Sequence, residues 1–266
     1  MIFYKKYVII YYKVKKEIKK GGKKTMGNNY VCSDLHGCME AYKAIKAFIK
    51  PDDIVYFLGD ANDRGPNSWE LVKTIYADPQ FIYLKGNHED MLVAAMREYI
   101  NYDEMTGNEY ELLVYNGGYN TFNDWLLENQ NIRNEWYYRL NKLPYSAEYI
   151  NSNGYRIIMT HAGFTPCYTV EDEIAYPEDE DLLWDRYHFN DPWPVETESV
   201  IMVHGHTPTI SLADYLNITQ SEMEPGALWY ANNHKICIDS GCVFTGYSTL
   251  LNLDTFEEQV FKFVRG

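Results

Sequence analysis

The sequence predicts an α/β fold, on three observations. Short apolar runs alternate with stretches of helical periodicity, polar turn residues separate them, and chemistry-bearing motifs stand just after the strand-like runs. Tyr30-Val31-Cys32 reads as a buried strand. Tyr42, Ile45, Phe48 and Ile49 recur at helical spacing before the turn Pro51-Asp52-Asp53. Ile54 to Leu58 reads as the next strand, and Trp69, Val72, Ile75 and Tyr76 mark a second helix after a start at Asn67 or Ser68. Phe81 to Leu84 completes a β-α-β-α-β rhythm, in which sites gather at the carboxyl ends of strands. From about 90 to 143 the pattern is helical: Phe122, Trp125 and Leu126, then Ile132, Trp136 and Leu140, form amphipathic stripes and are expected in the core. A hairpin follows over Tyr145 to Ile150 and Arg156 to Thr160, turning at Asn151 to Gly154. Later strands are expected at Val200 to Val203, Lys235 to Ile238, Ser248 to Leu253 and Gln259 to Val264.

Composition bounds the function. With 46% hydrophobic and 23% charged residues, the chain can bury a full core, which excludes a disordered protein. No stretch approaches the roughly 20 apolar residues of a membrane span. Five cysteines, Cys32, Cys38, Cys167, Cys237 and Cys242, with no C-x-x-C pair, read as free thiols in a reducing cytosol, so a cytoplasmic protein is expected. Residues 1 to 25 hold nine Lys and one Glu, a net +8, leaving 15 basic and 37 acidic residues, −22, in the remainder. A body of that sign repels nucleic acid. Residues 1–27 are therefore expected as a lysine-rich leader, disordered or not native, and 28–266 as a single domain with one helical insertion.

Five motifs follow predicted strands: Asp34-Leu35-His36-Gly37, Gly59-Asp60-Ala61-Asn62-Asp63-Arg64-Gly65, Gly86-Asn87-His88-Glu89, His161-Ala162-Gly163 and Gly205-His206-Thr207. Carboxylates and neutral imidazoles together suit divalent ions such as Mn, Fe and Zn. One Asp-x-His would mean little, whereas five in order, all after strands, point to a metal centre.

With these motifs the chain resembles the phosphoprotein-phosphatase family of calcineurin-like metallophosphoesterases, and within it the bacterial and phage-type serine/threonine phosphatases. The match spans about residues 28 to 254, including Trp184-Asp185-Arg186 and Ile238-Asp239-Ser240-Gly241. The resemblance implies a four-layer fold, two mixed β-sheets in a sandwich flanked by helices. It also implies two divalent metal ions, Mn first, with Fe, Zn or Ni as alternatives. Asp34 and His36 would bind the first metal, Asp60 would bridge, and Asn87, His161 and His206 would complete the second. His88 would donate the proton to the leaving group with Asp63 orienting it, and Arg64 and Arg186 would clamp phosphoryl oxygens. The implied reaction is hydrolysis of phosphoserine and phosphothreonine, with phosphotyrosine possible, by in-line attack of a metal hydroxide. Symmetrical diadenosine tetraphosphate hydrolysis is the alternative, and a non-catalytic binding module with the same fold is an alternative of another class. The expected partners are thus a phosphoprotein or phosphopeptide, or a dinucleoside polyphosphate. No nucleic acid or membrane partner is expected, and the oligomeric state is left open.

The remaining polar residues divide by context. His206 follows Gly and is preferred as ligand over His204, which is left to packing or support; His188 and His234 match nothing and are expected at the surface. Asp239 reads as an orienter of a metal histidine or as a turn residue, and Glu89 as support for the following helix. Seven acidic residues in the eleven positions from Glu171 to Asp181 form a solvated loop or, if they border the cleft, a repellent for polyphosphate.

Overall fold

The computed structural model describes residues 27–102, 107–165, 167–168, 174–175, 177–193, 199–218 and 225–263. Two five-stranded sheets face one another. The first takes β1 (Asn29–Cys32), β2 (Ile54–Phe57), β3 (Phe81–Tyr83), β11 (Tyr247–Asn252) and β12 (Glu258–Lys262) in the order β12-β11-β1-β2-β3. The second takes β4 (Ser146–Ile150), β5 (Arg156–Thr160), β8 (Val200–His204), β9 (Leu228–Tyr230) and β10 (Lys235–Cys237) in the order β4-β5-β8-β10-β9. Each sheet has three parallel strands, β1-β2-β3 in one and β5-β8-β10 in the other, with antiparallel partners beside them. Strands β6 (Cys167–Tyr168) and β7 (Ile174–Ala175) pair as a small ribbon.

Strand alternation builds three layers of core, because successive side chains leave opposite faces. Val31 on β1, Ile157 and Met159 on β5, Ile201 and Val203 on β8 and Ile236 on β10 fill the space between the sheets. Tyr30 and Cys32 point the other way, toward the helices. Those helices are α1 (Met39–Phe48), α2 (Ser68–Ala77), α3 (Asn87–Tyr102), α4 (Asn108–Tyr115), α5 (Tyr119–Leu126) and α6 (Gln130–Asn141). Trp125, Phe122 and Trp136 are buried among them, so these aromatics are core. Ile158, Val200 and Met202 pack outward from the second sheet against Leu182 of α7 (Asp179–Trp184) and Trp193. Two further α-helices among the described residues, α8 (Ala213–Leu216) and α9 (Cys242–Thr245), are single turns.

The lysine-rich segment 1–26 lies outside the described residues, as do 171–173 and 176 of the acidic run. No helix among the described residues is long and apolar enough to cross a membrane.

Candidate metal centre

All five motifs stand at the carboxyl ends of parallel strands, where the two sheets converge. Asp34 and His36 follow β1, Asp60 follows β2, and Asn87 and His88 open α3 after β3; His161 follows β5 and His206 lies two residues beyond β8. Asp34, His36, Asp60, Asp63, Arg64 and His206 all have positive φ, between 42° and 68°. For residues with a Cβ this conformation costs about 1–3 kcal/mol each, and it persists only where surrounding bonds impose it.

Those bonds are present. Glu89, fully buried, receives the backbone N–H groups of Asp60, Ala61 and Gly86 at 2.8 Å each and the Tyr83 hydroxyl at 2.7 Å. One carboxylate thus ties the β2 loop to the start of α3, a wider role than supporting its helix. Asp60 Oδ1 accepts from His88 N at 3.0 Å, and Asp34 Oδ2 accepts from His206 N at 3.0 Å. A Cβ on Gly205 would lie 2.1 Å from Asp34 Oδ2, so only glycine lets these two loops meet.

Two groups of donors share Asp60. His36, Asp60 and His88 form one, and Asp60, His161 and His206 the other, each with its ligand atoms within 4.8 Å of one another. Asn87 Oδ1 joins the second at 2.8 Å from His161 Nε2 and 3.1 Å from His206 Nδ1. His36 Nδ1 lies 2.8 Å from the carbonyl of Asn62, and His161 Nδ1 lies 2.8 Å from that of Leu58. A carbonyl only accepts, so each ring carries its proton on Nδ1 and turns a bare Nε2 lone pair inward. Both Nε2 atoms lie 3.5 Å from Asp60 Oδ2. The His36 lone pair meets the Arg64 guanidinium, whereas the His161 lone pair and Asp60 Oδ2 repel unless a cation lies between them, and the set of oxygens and imidazoles suits a borderline divalent ion. The residues present therefore fit a metal pair.

The electrostatics agree. Burial holds His36 and His206 well below the usual histidine range, so both are neutral lone-pair donors near pH 7. Burial, then the charges of Asp34 and Glu89, pushes the Asp60 carboxyl well above its ordinary value. A divalent cation reverses that penalty by favouring the carboxylate.

Asp34 belongs to neither group; its Oδ2 is engaged by the His206 backbone. His88 Nε2 stands 3.9 Å from Asp60 Oδ2, and its Nδ1 lies 2.7 Å from Asp63 Oδ2. Arg64 donates to both imidazoles at 2.8 Å, from Nη1 to His36 Nε2 and from Nη2 to His88 Nε2. His88 therefore carries its proton on Nδ1 and gives it to Asp63. Burial pushes Asp63 up to about 7, while burial, Arg64 and His161 hold His88 well below its usual range. Thr121 donates to Asp63 Oδ1 at 2.7 Å and stabilises the ionised form.

Arg186, exposed at the mouth, donates from Nε to Thr207 Oγ1 at 3.0 Å. Its charge lowers the neighbouring His206, after burial and His161. Trp184 packs edge-on against His206 with centroids 5.9 Å apart. Trp184 also lines a groove of about 350 Å³ with Leu112, Leu183, Asp90, Glu109 and Asp179.

Several side chains of the site have no sequence signal. Thr121 lies 58 residues from Asp63 on α5, and Asn62 occupies a variable position of its motif although its carbonyl orients His36 and its amide donates to His88 O at 3.0 Å. His188 is a correction: expected at the surface, it is fully buried against Tyr230. His234 likewise is half-buried, stacked on Trp193 with rings 5.2 Å apart. Asp239 Oδ1 accepts from Gly241 N at 2.7 Å, which is the turn role.

Comparison with known proteins follows the same lines. A symmetrical bis(5'-nucleosyl)-tetraphosphatase from Pseudomonas syringae pv. tomato is 24% identical over 86% of this chain and 87% of its own. A solved protein provisionally named a diadenosine tetraphosphatase superposes with a TM-score of 0.58 at 15% identity, covering 91% of this chain and 96% of that one. A protein serine/threonine phosphatase from Saccharomyces cerevisiae superposes with a TM-score of 0.52 at 18% identity, covering 90% and 81%. These structures share the fold. The sequence profile of calcineurin-like phosphoesterases matches residues 30–246, which hold all five motifs, and the chain belongs to that family.

Proposed function

We propose that the chain is a metal-dependent phosphomonoester hydrolase that acts on phosphoserine and phosphothreonine in proteins, with phosphotyrosine also within its chemistry. Asp34, His36, Asp60, Asn87, His161 and His206 would hold two divalent ions, for which manganese suits the mixed oxygen and nitrogen donors. Bound there, the ions would supply Lewis acidity to phosphoryl oxygens and would lower the pKa of water toward about 7.

The chain's own residues do the rest. Arg64 and Arg186 bind phosphoryl oxygens as planar forks, a geometry that lysine lacks. Asp63 holds His88 at Nδ1, leaving Nε2 as the atom that takes up a proton and delivers it to the departing alkoxide. Thr121 holds Asp63 in turn.

The observation that carries the protein substrate is the groove that reaches the metal centre through Trp184, the neighbour of His206. Its lining combines Asp90, Glu109 and Asp179 with Leu112, Leu183 and Trp184. Acidic walls repel a polyphosphate chain and attract basic residues flanking a phosphorylated side chain. The Lys85 ammonium, 3.3 Å from Asp90, offsets one of those charges, leaving Glu109 and Asp179 as the selective pair. The buried thiols Cys32 and Cys237 fit a reducing, cytoplasmic setting.

A second reading, hydrolysis of a symmetrical dinucleoside tetraphosphate, is favoured by the name of the Pseudomonas relative. Trp184 is the side chain on which a base would stack in that case. Phosphate release is the test, with added manganese and with chelator, from phosphoserine and phosphothreonine peptides and from diadenosine tetraphosphate. Faster release from peptides, abolished by chelator and by His88→Asn, supports the proposal. Preference for the dinucleotide transfers the enzyme to the second reading, and no release from either leaves a binding module.

A further inference from the structure

We propose that His188, Tyr230 and Lys235 form a buried brace that positions Arg186 for the phosphoryl group, an inference that rests on the phosphate-clamping role given to Arg186 above. The turn of 3-10 helix directly after Arg186, Tyr187–Asn190, carries His188 into the interior, where it is fully buried. His188 Nε2 lies 3.0 Å from the Tyr230 hydroxyl, which lies 2.7 Å from His204 Nε2; His204 Nδ1 lies 3.0 Å from the carbonyl of Gly205.

Proton accounting gives the chain one direction. The Gly205 carbonyl only accepts, so His204 carries its proton on Nδ1 and its Nε2 is bare. Tyr230 must then donate its hydroxyl proton to His204, and its oxygen accepts from His188 Nε2–H. At the near end His188 Nδ1 makes no hydrogen bond among the described residues, and Asp185 Oδ1 fixes the start of the turn by accepting from Tyr187 N at 2.7 Å. The hydrogen-bonded chain thus runs from His188, two residues after Arg186, to Gly205, the residue before the candidate ligand His206.

Lys235, fully buried on β10, donates to the carbonyls of His188 and, at 3.3 Å, of Asp191. An ammonium is costly to bury without such partners. Both bonds it makes hold the turn that follows Arg186. The guanidinium itself is steadied at Nε by Thr207 Oγ1, and its fork remains to bind oxygens.

The test uses the manganese-loaded full chain, with p-nitrophenyl phosphate turnover and calorimetric binding of inorganic phosphate as separate readouts. Tyr230→Phe is expected to raise KM and the phosphate Kd about tenfold, the loss of roughly one well-placed hydrogen bond, with kcat and manganese content little changed. His188→Leu should do the same, and His188→Gln, which keeps a donor near the Nε2 position, should recover most of the effect. Arg186→Ala should weaken phosphate by about 10–100-fold, as expected for a charge-assisted pair. The double variant Tyr230→Phe/Arg186→Ala should bind phosphate no more weakly than Arg186→Ala alone. Independent, multiplying effects would overturn the brace, as would a Tyr230→Phe enzyme that loses manganese or kcat at unchanged KM. If Tyr230→Phe does not fold, the two His188 variants decide the matter in the same cycle. A wild type that releases no phosphate from any ester sinks the functional reading, while phosphate calorimetry still reads the brace.

Discussion

Asp63 Oδ2 lies 2.7 Å from His88 Nδ1 while its other oxygen receives the Thr121 hydroxyl at the same distance. The carboxylate is thereby held from both sides, and the imidazole it faces cannot turn its other nitrogen away from Asp60 and Arg64. On the proposed function, this pair would place proton transfer beside the phosphate-binding Arg64.

Asp63→Asn should lower kcat for phosphoserine peptides by about 10²–10⁴-fold, the usual range for a positioned acid–base group. Steady-state kinetics should show a smaller loss on aryl phosphates, whose leaving groups need less protonation. An equal loss on both substrates would assign Asp63 a structural role instead.

The same residue gives a pH prediction for chelator-treated protein. Its carboxyl is raised to about 7 by burial, against about 3.9 in an unfolded chain. The folded state therefore binds more protons than the unfolded state between those values. This stabilising contribution is complete below pH about 4 and is lost as pH rises toward 7. Thermal melts of wild type and Asp63→Asn should thus diverge with rising pH, wild type losing a few kcal/mol relative to the variant. A constant difference across that window would contradict it.

Calorimetric manganese titration should report two ions in wild type. His161→Ala or His206→Ala should remove one, and His36→Ala the other, because each set draws on different imidazoles around Asp60. Asp60→Asn should remove both.

Glu89→Gln should cost about 3 kcal/mol of stability in chelator, since one amide cannot accept the four donors now aimed at the carboxylate. Denaturant melts check the cost. Manganese affinity should fall as well, because the loops bearing Asp60 and Asn87 lose their shared anchor.

Glu109→Gln with Asp179→Asn should raise kcat/KM on diadenosine tetraphosphate and lower it on peptides with flanking lysine or arginine. Exposed charges of this kind alter selectivity by about 3–10-fold. Side-by-side assays at low and high salt check it, because screening should shrink the difference.

Much of this molecule is legible in its sequence for a physical reason. The parallel strands are short apolar runs, β8 buried at every residue and β2 at Val55 and Phe57, and the five motifs sit in the turns directly behind them. The sandwich and its helical flank follow from that rhythm. What stays hidden depends on partners distant along the chain. His188 and Tyr230 are 42 residues apart, and Thr121 and Asp63 are 58 apart; no periodicity links them. The exposure expected for His188 failed because a histidine without a motif carries no mark of burial. The groove joins α3, α4 and α7, whose approach depends on tertiary packing alone.

The sharing of Asp60 between sets drawn from both sheets also bears on how the molecule matures. Asn87 and His206 meet across 119 residues, and Asp34 reaches the His206 backbone across 172. Contacts so distant along the chain are among the last to close in folding. Metal capture then functions as a clasp on the finished sandwich, drawing the equilibrium toward the native state in proportion to free-ion concentration. A chain cut anywhere between β3 and β8 would keep separate donors but lose the clasp, so starvation for the ion should expose this enzyme to proteolysis before it merely silences it.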